Sequence, residues 1–215
     1  MRRYSLTTLR RALVGDFRVS IVRTAFARLR GRPITLTRSF RVVGMRRIEF
    51  APGARLLLGT AFFGFVDRRV HGLIRVRGRL RILGNVKIAA GCRFDVLDTG
   101  TMTIGDNTYF SPNVLAVVAE AVTIGRDCAI AWGVQLLDDD RHAFRGPAGL
   151  RASSAPITIG DRVWIGNGVH VYKGVSIADG CVVAGNSTVT RSFDQPNSLI
   201  GGSPARVLRS DVKWE

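Results

Sequence analysis

Cut every six residues, the stretch Ile159–Asp194 reads IGDRVW, IGNGVH, VYKGVS, IADGCV, VAGNST, VTRSFD. Ile159, Ile165, Val171, Ile177, Val183 and Val189 hold the first place, all aliphatic. Val163, Val169, Val175, Cys181 and Ser187 hold the fifth, all small or β-branched. The pattern has two earlier runs, with first places at Ile104, Phe110 and Ala116 and at Ile124, Ile130 and Leu136, and fifth places at Thr108, Val114, Cys128 and Val134. Glycine follows the first residue at Gly105, Gly125, Gly160 and Gly166. A short fixed period specifies a stacked coil in which three hexads close one triangular turn of about 18 residues. No turn buries its own apolar edge, so stability comes from stacking neighbours at a strand spacing of ~4.8 Å. Weaker hexads starting at Val86 and Cys92 extend the coil upstream. The three cysteines, Cys92 at a first place and Cys128 and Cys181 at fifth places, are read as buried structural thiols.

Upstream, Ile74–Ile82 alternates aliphatics with Arg75, Arg77, Arg79 and Arg81 and reads as one half-buried strand. Residues 5–30 read as two amphipathic helices. Leu6, Leu9 and Leu13 lie on one face of the first; Asp16 caps the second, whose stripe is Val19, Val22, Phe26 and Leu29 and which Gly31 and Pro33 end. Such a stripe packs on the rest of the protein or lies on a membrane surface. The chain therefore divides into a basic helical and extended region over 1–48 and a mainly β domain over 49–215, with a loop insertion at about 141–156.

The 215 residues carry a net charge of +16, and the whole excess sits in the first third. Residues 1–81 hold 20 arginines and no lysine against Asp16, Glu49 and Asp67. A charge so placed suits a polyanion or an anionic membrane surface. No nucleic-acid-binding signature accompanies it, so no nucleic-acid partner is expected. No apolar run reaches the ~18 residues of a membrane span, and the N-terminus makes a poor signal peptide, so a cytoplasmic location is expected, with peripheral contact at the inner face of the membrane open to the basic third. Three scattered cysteines form neither a disulfide framework nor a Cys-based zinc site, and no metal is expected.

These hexads resemble the hexapeptide-repeat acyltransferases, the family of the galactoside, maltose and capsular-polysaccharide O-acetyltransferases. The resemblance covers roughly residues 85–210. It rests on Val163-Trp164-Ile165-Gly166-Asn167, on Val183-Ala184-Gly185-Asn186-Ser187-Thr188-Val189-Thr190-Arg191, and on Gly201-Gly202-Ser203-Pro204-Ala205-Arg206-Val207-Leu208-Arg209. Ala131-Trp132-Gly133-Val134 running into Asp138-Asp139-Asp140-Arg141-His142 resembles the surface-glycan branch. The resemblance implies a left-handed parallel β-helix, beside which the N-terminal basic amphipathic helices stand, a homotrimer, and acetyl-CoA held in a groove between coils. It implies Trp164, Asn167, Gly185 and Thr190 along that groove, and Arg191, Arg206 and Arg209 at the CoA phosphates.

The repeat breaks between about Arg141 and Pro156, and a break in a regular coil is where a functional loop belongs. His142 opens it. Acyl transfer from a thioester to a sugar hydroxyl needs a base, and imidazole titrates near working pH. Asp138 or Asp140 can orient that imidazole, Asp140 being the nearer; both can equally cap the loop. Tyr109 and Asn113 keep the spacing of the galactoside-type Y-x-x-x-N, whose Asn contacts the acceptor. The expected activity is acetyl-CoA-dependent O-acetylation of a sugar in a surface polysaccharide, glycolipid or other glycan, by direct transfer with His142 as base. The alternatives are N-acylation of an amino sugar or nucleotide-linked sugar, or a non-enzymatic scaffold on an anionic surface. A zinc-dependent β-helix enzyme is disfavoured, because His71, His142 and His170 are widely separated.

Overall fold

A computed structural model describes residues 19–60, 70–146 and 149–215. The expected helix over Leu6–Leu13 lies outside the described residues, as does Asp16; the second helix begins at Ile21 with Ser20 in the cap position, so Asp16 does not cap it, and Val19, bridged to Thr37, lies outside its stripe. The chain winds as a left-handed parallel β-helix with three faces. The first face stacks β1 (Ile34–Leu36), β4 (Arg55–Thr60), β7 (Asn85–Ala89), β10 (Tyr109–Phe110), β13 (Ala129–Ile130), β18 (Trp164–Ile165), β21 (Val182–Val183) and β23 (Leu199–Gly202), and β24 (Ala205–Arg209) returns antiparallel to β23. The second stacks β2 (Phe40–Val43), β5 (Gly72–Val76), β8 (Arg93–Val96), β11 (Leu115–Val118), β14 (Gln135–Leu137), β19 (His170–Tyr172) and β22 (Thr188–Val189). The third stacks β3 (Ile48–Phe50), β6 (Arg79–Ile82), β9 (Thr101–Ile104), β12 (Ala121–Ile124), β17 (Ile157–Ile159) and β20 (Ser176–Ile177). The coil thus reaches back to Ile34, ahead of the boundary read at residue 49. The repeat is hard to see there because the early turns are long: Leu56 pairs with Val86, thirty residues on, while Trp164 pairs with Val182, eighteen on.

Every first- and fifth-place residue from Ile104 to Val189 is at most 1% exposed, and together they form one continuous core. The corners explain a further place. In nine of the hexads the fourth residue takes the left-handed backbone conformation, at Asn107, Asn113, Asp127, Gly133, Arg162, Gly168, Gly174, Gly180 and Asn186. Glycine and asparagine dominate because they tolerate positive φ best. Two readings are corrected by this geometry. Ile88, paired with Phe110, holds the first place upstream, so Val86 and Cys92 stand at fifth places, with left-handed Gly91 between Ile88 and Cys92. Cys92 still points inward, fully buried. Ile74–Ile82 is two strands on different faces, β5 and β6, not one. Gly78 makes the bend, where a Cβ would run into the Gly100 and Leu97 carbonyls. The alternation survives the corner: Ile74, Val76, Leu80 and Ile82 stay buried and the arginines between them stay exposed.

Helix α1 (Ile21–Leu29) closes the open end of the coil beside β1. Its Thr24 and Ala27 are buried there, while Val22, Phe26 and Leu29 face outward. Among the described residues no helix is long and apolar enough to cross a membrane.

Candidate active site

The longest turn carries the arm. From Ala129 to its partner Trp164 the chain spends 35 residues, and the excess leaves at the corner between the second and third faces. There β15 (Phe144–Gly146) and β16 (Gly149–Arg151) form an antiparallel hairpin. Its neck is closed by the Asp140 N–H donating to the Ser153 carbonyl at 2.9 Å and the Ala155 N–H to the Asp138 carbonyl at 3.0 Å. Lys173, on the next turn, staples that neck. Its ammonium donates to the Ala152 carbonyl at 2.6 Å and the Ser153 carbonyl at 3.0 Å, and pairs with Asp140 Oδ2 at 2.6 Å.

His142 projects from this neck. It is exposed and makes no hydrogen bond or ion pair with the described residues. The carboxylates before it are occupied elsewhere. Asp138 is fully buried and accepts the Ala119 and Glu120 N–H groups of the preceding turn at 2.7 and 2.9 Å. Burial outweighs these bonds and raises its pKa above the ordinary carboxylate value. Asp139 accepts the N–H of left-handed Arg141 at 3.1 Å and so shapes the turn into His142. Asp140 belongs to Lys173.

The other expected site residues divide between two corners flanking the second face. Thr190 and Arg191 follow β22, at the same corner as His142. Asn113, Asn167 and Gly185 lie at the opposite corner, between the first and second faces. The structure does not bring Asn113 and His142 together within one chain: a strand of the second face separates them. Asn113 also has a local reason to be asparagine, since it holds a left-handed corner and leans over Gly91. Asn167 and Gly185 are in contact, for a Cβ at residue 185 would lie 2.9 Å from Asn167 Oδ1. Arg206 pairs with Gly201 on the terminal hairpin beside this corner, and Arg209 sits farther along the same strand opposite Leu199. Arg191, Arg206 and Arg209 are exposed and form no ion pair among the described residues.

Trp164 stands on the outer side of the first face, 43% exposed, with Trp214 tilted against it at 6.2 Å between ring centroids. The Trp214 indole N–H donates to the Arg162 carbonyl at 2.8 Å. A groove of about 640 Å³ opens beside it, lined by Lys87, Tyr109, Asp127, Arg162 and Trp214 among others, at the corner between the third and first faces. Lys173 and Trp214 escaped the sequence reading. Lys173 left one faint signal, as one of only three lysines; Trp214 left none, because it lies beyond the repeat. Among the described residues no group of three or more His, Cys, Asp or Glu side chains is arranged to hold a metal ion.

A coil of hexads with an arm at one corner defines a class of transferase. Residues 156–191 match the bacterial transferase hexapeptide (six repeats) family. The chain is 31% identical over 175 residues to an uncharacterized 24.8 kDa protein in the cps region of Klebsiella pneumoniae, covering 81% of this chain and 78% of the relative. It is 33% identical over 146 residues to the putative lipopolysaccharide biosynthesis O-acetyl transferase WbbJ of Escherichia coli K12, covering 63% and 74%. A crystal structure of a hexapeptide-repeat acetyltransferase from Vibrio cholerae superposes with a TM-score of 0.50 at 32% identity, over 59% of this chain and 70% of that one. The chain belongs to the hexapeptide-repeat transferase family and is an acetyltransferase.

Proposed function

We propose that the protein transfers an acetyl group from acetyl-CoA to a hydroxyl of a surface glycan or its precursor, with His142 as the general base. The observation that carries this reading is the state of His142: an imidazole without a partner, exposed, on a neck that Lys173 and Asp140 pin to a rigid coil. A base must reach its proton with little reorganisation, and a pinned neck supplies that. In the reaction the imidazole takes the acceptor proton as the hydroxyl oxygen attacks the thioester carbonyl carbon. The tetrahedral intermediate collapses by breaking the carbon–sulfur bond. The departing CoA thiolate takes the proton from the imidazolium, leaving an acetyl ester and free CoA.

No covalent acyl-enzyme forms on cysteine. All three thiols are buried, and burial pushes Cys92 up to about 12 and Cys128 to about 11. Asp140 acts on His142 through Lys173, as a positioning residue.

The division of residues between two corners supports a site shared by neighbouring chains of a homotrimer. In such a site one chain gives His142, Thr190 and Arg191, and its neighbour gives Asn113, Asn167, Gly185 and Arg206. The guanidiniums of Arg191, Arg206 and Arg209, none of them in an ion pair among the described residues, suit the phosphates of CoA, and Trp164 suits the pantetheine arm. The outer sides of the coil support this assembly. Around the middle turns the third face presents Thr101, Thr103, Thr123 and Thr158, whereas the second presents half-buried Leu115, Val117, Leu137 and Tyr172; nearer the α1 end both faces carry ion pairs, Arg79–Glu49 on the third and Arg75–Asp95 on the second. The name of the Escherichia coli relative favours a glycan hydroxyl over an amine as acceptor. The test is thiol release from acetyl-CoA in the presence of lipopolysaccharide or capsule fragments, with mass spectrometry of the product. An ester that mild alkali removes supports the reading; an alkali-stable amide, or no acetylated product with any glycan, rejects it.

A further inference from the structure

Helix α1 closes the coil with only one of its faces. The Leu36 N–H on the open edge of β1 donates to the Thr24 hydroxyl at 3.1 Å, and the Ser20 N–H donates to the Leu36 carbonyl at 2.8 Å. The helix thus satisfies an edge that would otherwise pair with another strand. Small residues make the close approach, with Thr24 and Ala27 buried. At about 100° per residue, Ile21 falls on a flank beside Arg28, and Val22, Phe26 and Leu29 fall on the opposite face. They are 69%, 80%, 50% and 88% exposed. Nothing in the chain's described residues covers them.

Charge surrounds this stripe. The same wheel sets Arg23 and Arg30 along one flank and Arg28 along the other, and no acid lies on the helix. The Arg30 guanidinium lies over the Phe26 ring at 4.0 Å. Over the described residues 19–60 there are nine arginines against the single acid Glu49, and Glu49 is paired with Arg79 and Arg81. An apolar stripe between rows of cations, with no anion of its own to neutralise them, complements an anionic lipid surface on both counts: alkyl side chains for the headgroup–acyl boundary and guanidiniums for the phosphates.

We propose that α1 is a membrane-docking element, with Val22, Phe26 and Leu29 entering an anionic bilayer surface and Arg23, Arg28 and Arg30 meeting the lipid phosphates. One nine-residue helix binds weakly. The homotrimer proposed above, on which this step alone rests, brings three copies to the same end of the assembly when the coils run parallel, and linked copies bind far more tightly than one. Docking by that end sets the arm and His142 at a fixed height above the lipid, where a lipid-linked glycan would be presented.

The experiment is co-sedimentation of the full chain with vesicles rich in phosphatidylglycerol and, separately, with vesicles of phosphatidylcholine alone. Wild type should bind the anionic vesicles and not the neutral ones, and binding should fall at least roughly tenfold as salt shortens the Debye length from about 10 to about 3 Å. The triple variant Val22→Asp, Phe26→Asp, Leu29→Asp should lose roughly tenfold or more in binding. It should keep wild-type circular dichroism and oligomer size, and unchanged acetyl transfer to a soluble acceptor. Binding by the triple variant equal to wild type, or no binding by wild type, overturns the proposal. So does a triple variant that falls apart into smaller species, for then the stripe is a contact between subunits. The vesicle readout needs no turnover, so it stands or falls separately from the acetyl-transfer reading.

Discussion

Asp138 stands four residues before His142 yet serves the turn beneath it. Its side chain points inward and its carboxylate caps two backbone N–H groups, so its role is structural. Because burial raises its pKa, the folded state holds this proton more tightly than the unfolded chain does. The associated stability is fully present below the unfolded carboxylate pKa and is lost as pH rises through the raised folded value. Asp138→Asn should abolish that part of the pH dependence of chemical denaturation. It should also cost about 1–3 kcal/mol, since the amide nitrogen faces a donor. A variant with the wild-type pH slope would contradict this account. The thiols give a second check: Cys92, Cys128 and Cys181 should resist alkylation at neutral pH in the native protein and react on unfolding. The sequence placed a base beside three carboxylates but could not assign the carboxylates. That assignment depends on whether a side chain points in or out at the arm's neck, where the hexad frame that would tell has already ended. Asn113 lies at a left-handed corner one strand of the second face away from His142, a placement that spacing along the chain does not give.

Among elements, the corner is where sequence and backbone agree most closely. Glycine at the second hexad place follows from stacking: a Cβ on Gly125 would lie 2.5 Å from the Gly160 carbonyl oxygen of the next turn. Gly125→Ala should therefore destabilise by about 1–3 kcal/mol, read as a lower denaturation midpoint at unchanged slope. The first and fifth places were legible because burial demands apolar or small side chains there. The fourth was not, because glycine, asparagine, aspartate and arginine all fill it and share only a conformation. The arm is the other informative element. Lys173→Ala removes three contacts that close its neck and should expose Arg145 to faster tryptic cleavage. Turnover should fall roughly tenfold at unchanged acetyl-CoA affinity, the pattern of a lost positioning contact. Equal cleavage rates for variant and wild type would remove Lys173 from the mechanism.

At the scale of the whole molecule, the residues proposed for the site sit at separate corners of one chain, and the proposed trimer would bring them together. Light scattering should find a trimer. Co-expressed chains bearing His142→Ala and Arg206→Ala should recover activity in mixed assemblies, because some interfaces then carry His142 from one chain and Arg206 from the next. No recovery would mean that each chain works alone. The coil was readable from its period, while the end that α1 closes was not, because a helix that shows its apolar stripe to solvent breaks the usual rule for amphipathic packing. The proposed mechanism turns on His142 removing the acceptor's proton. The direct test sets His142→Ala beside wild type, with turnover measured on a confirmed glycan acceptor and acetyl-CoA affinity by calorimetry. Turnover should fall by ~10²–10⁴ with affinity within about twofold of wild type; near-normal turnover in the variant would contradict the claim.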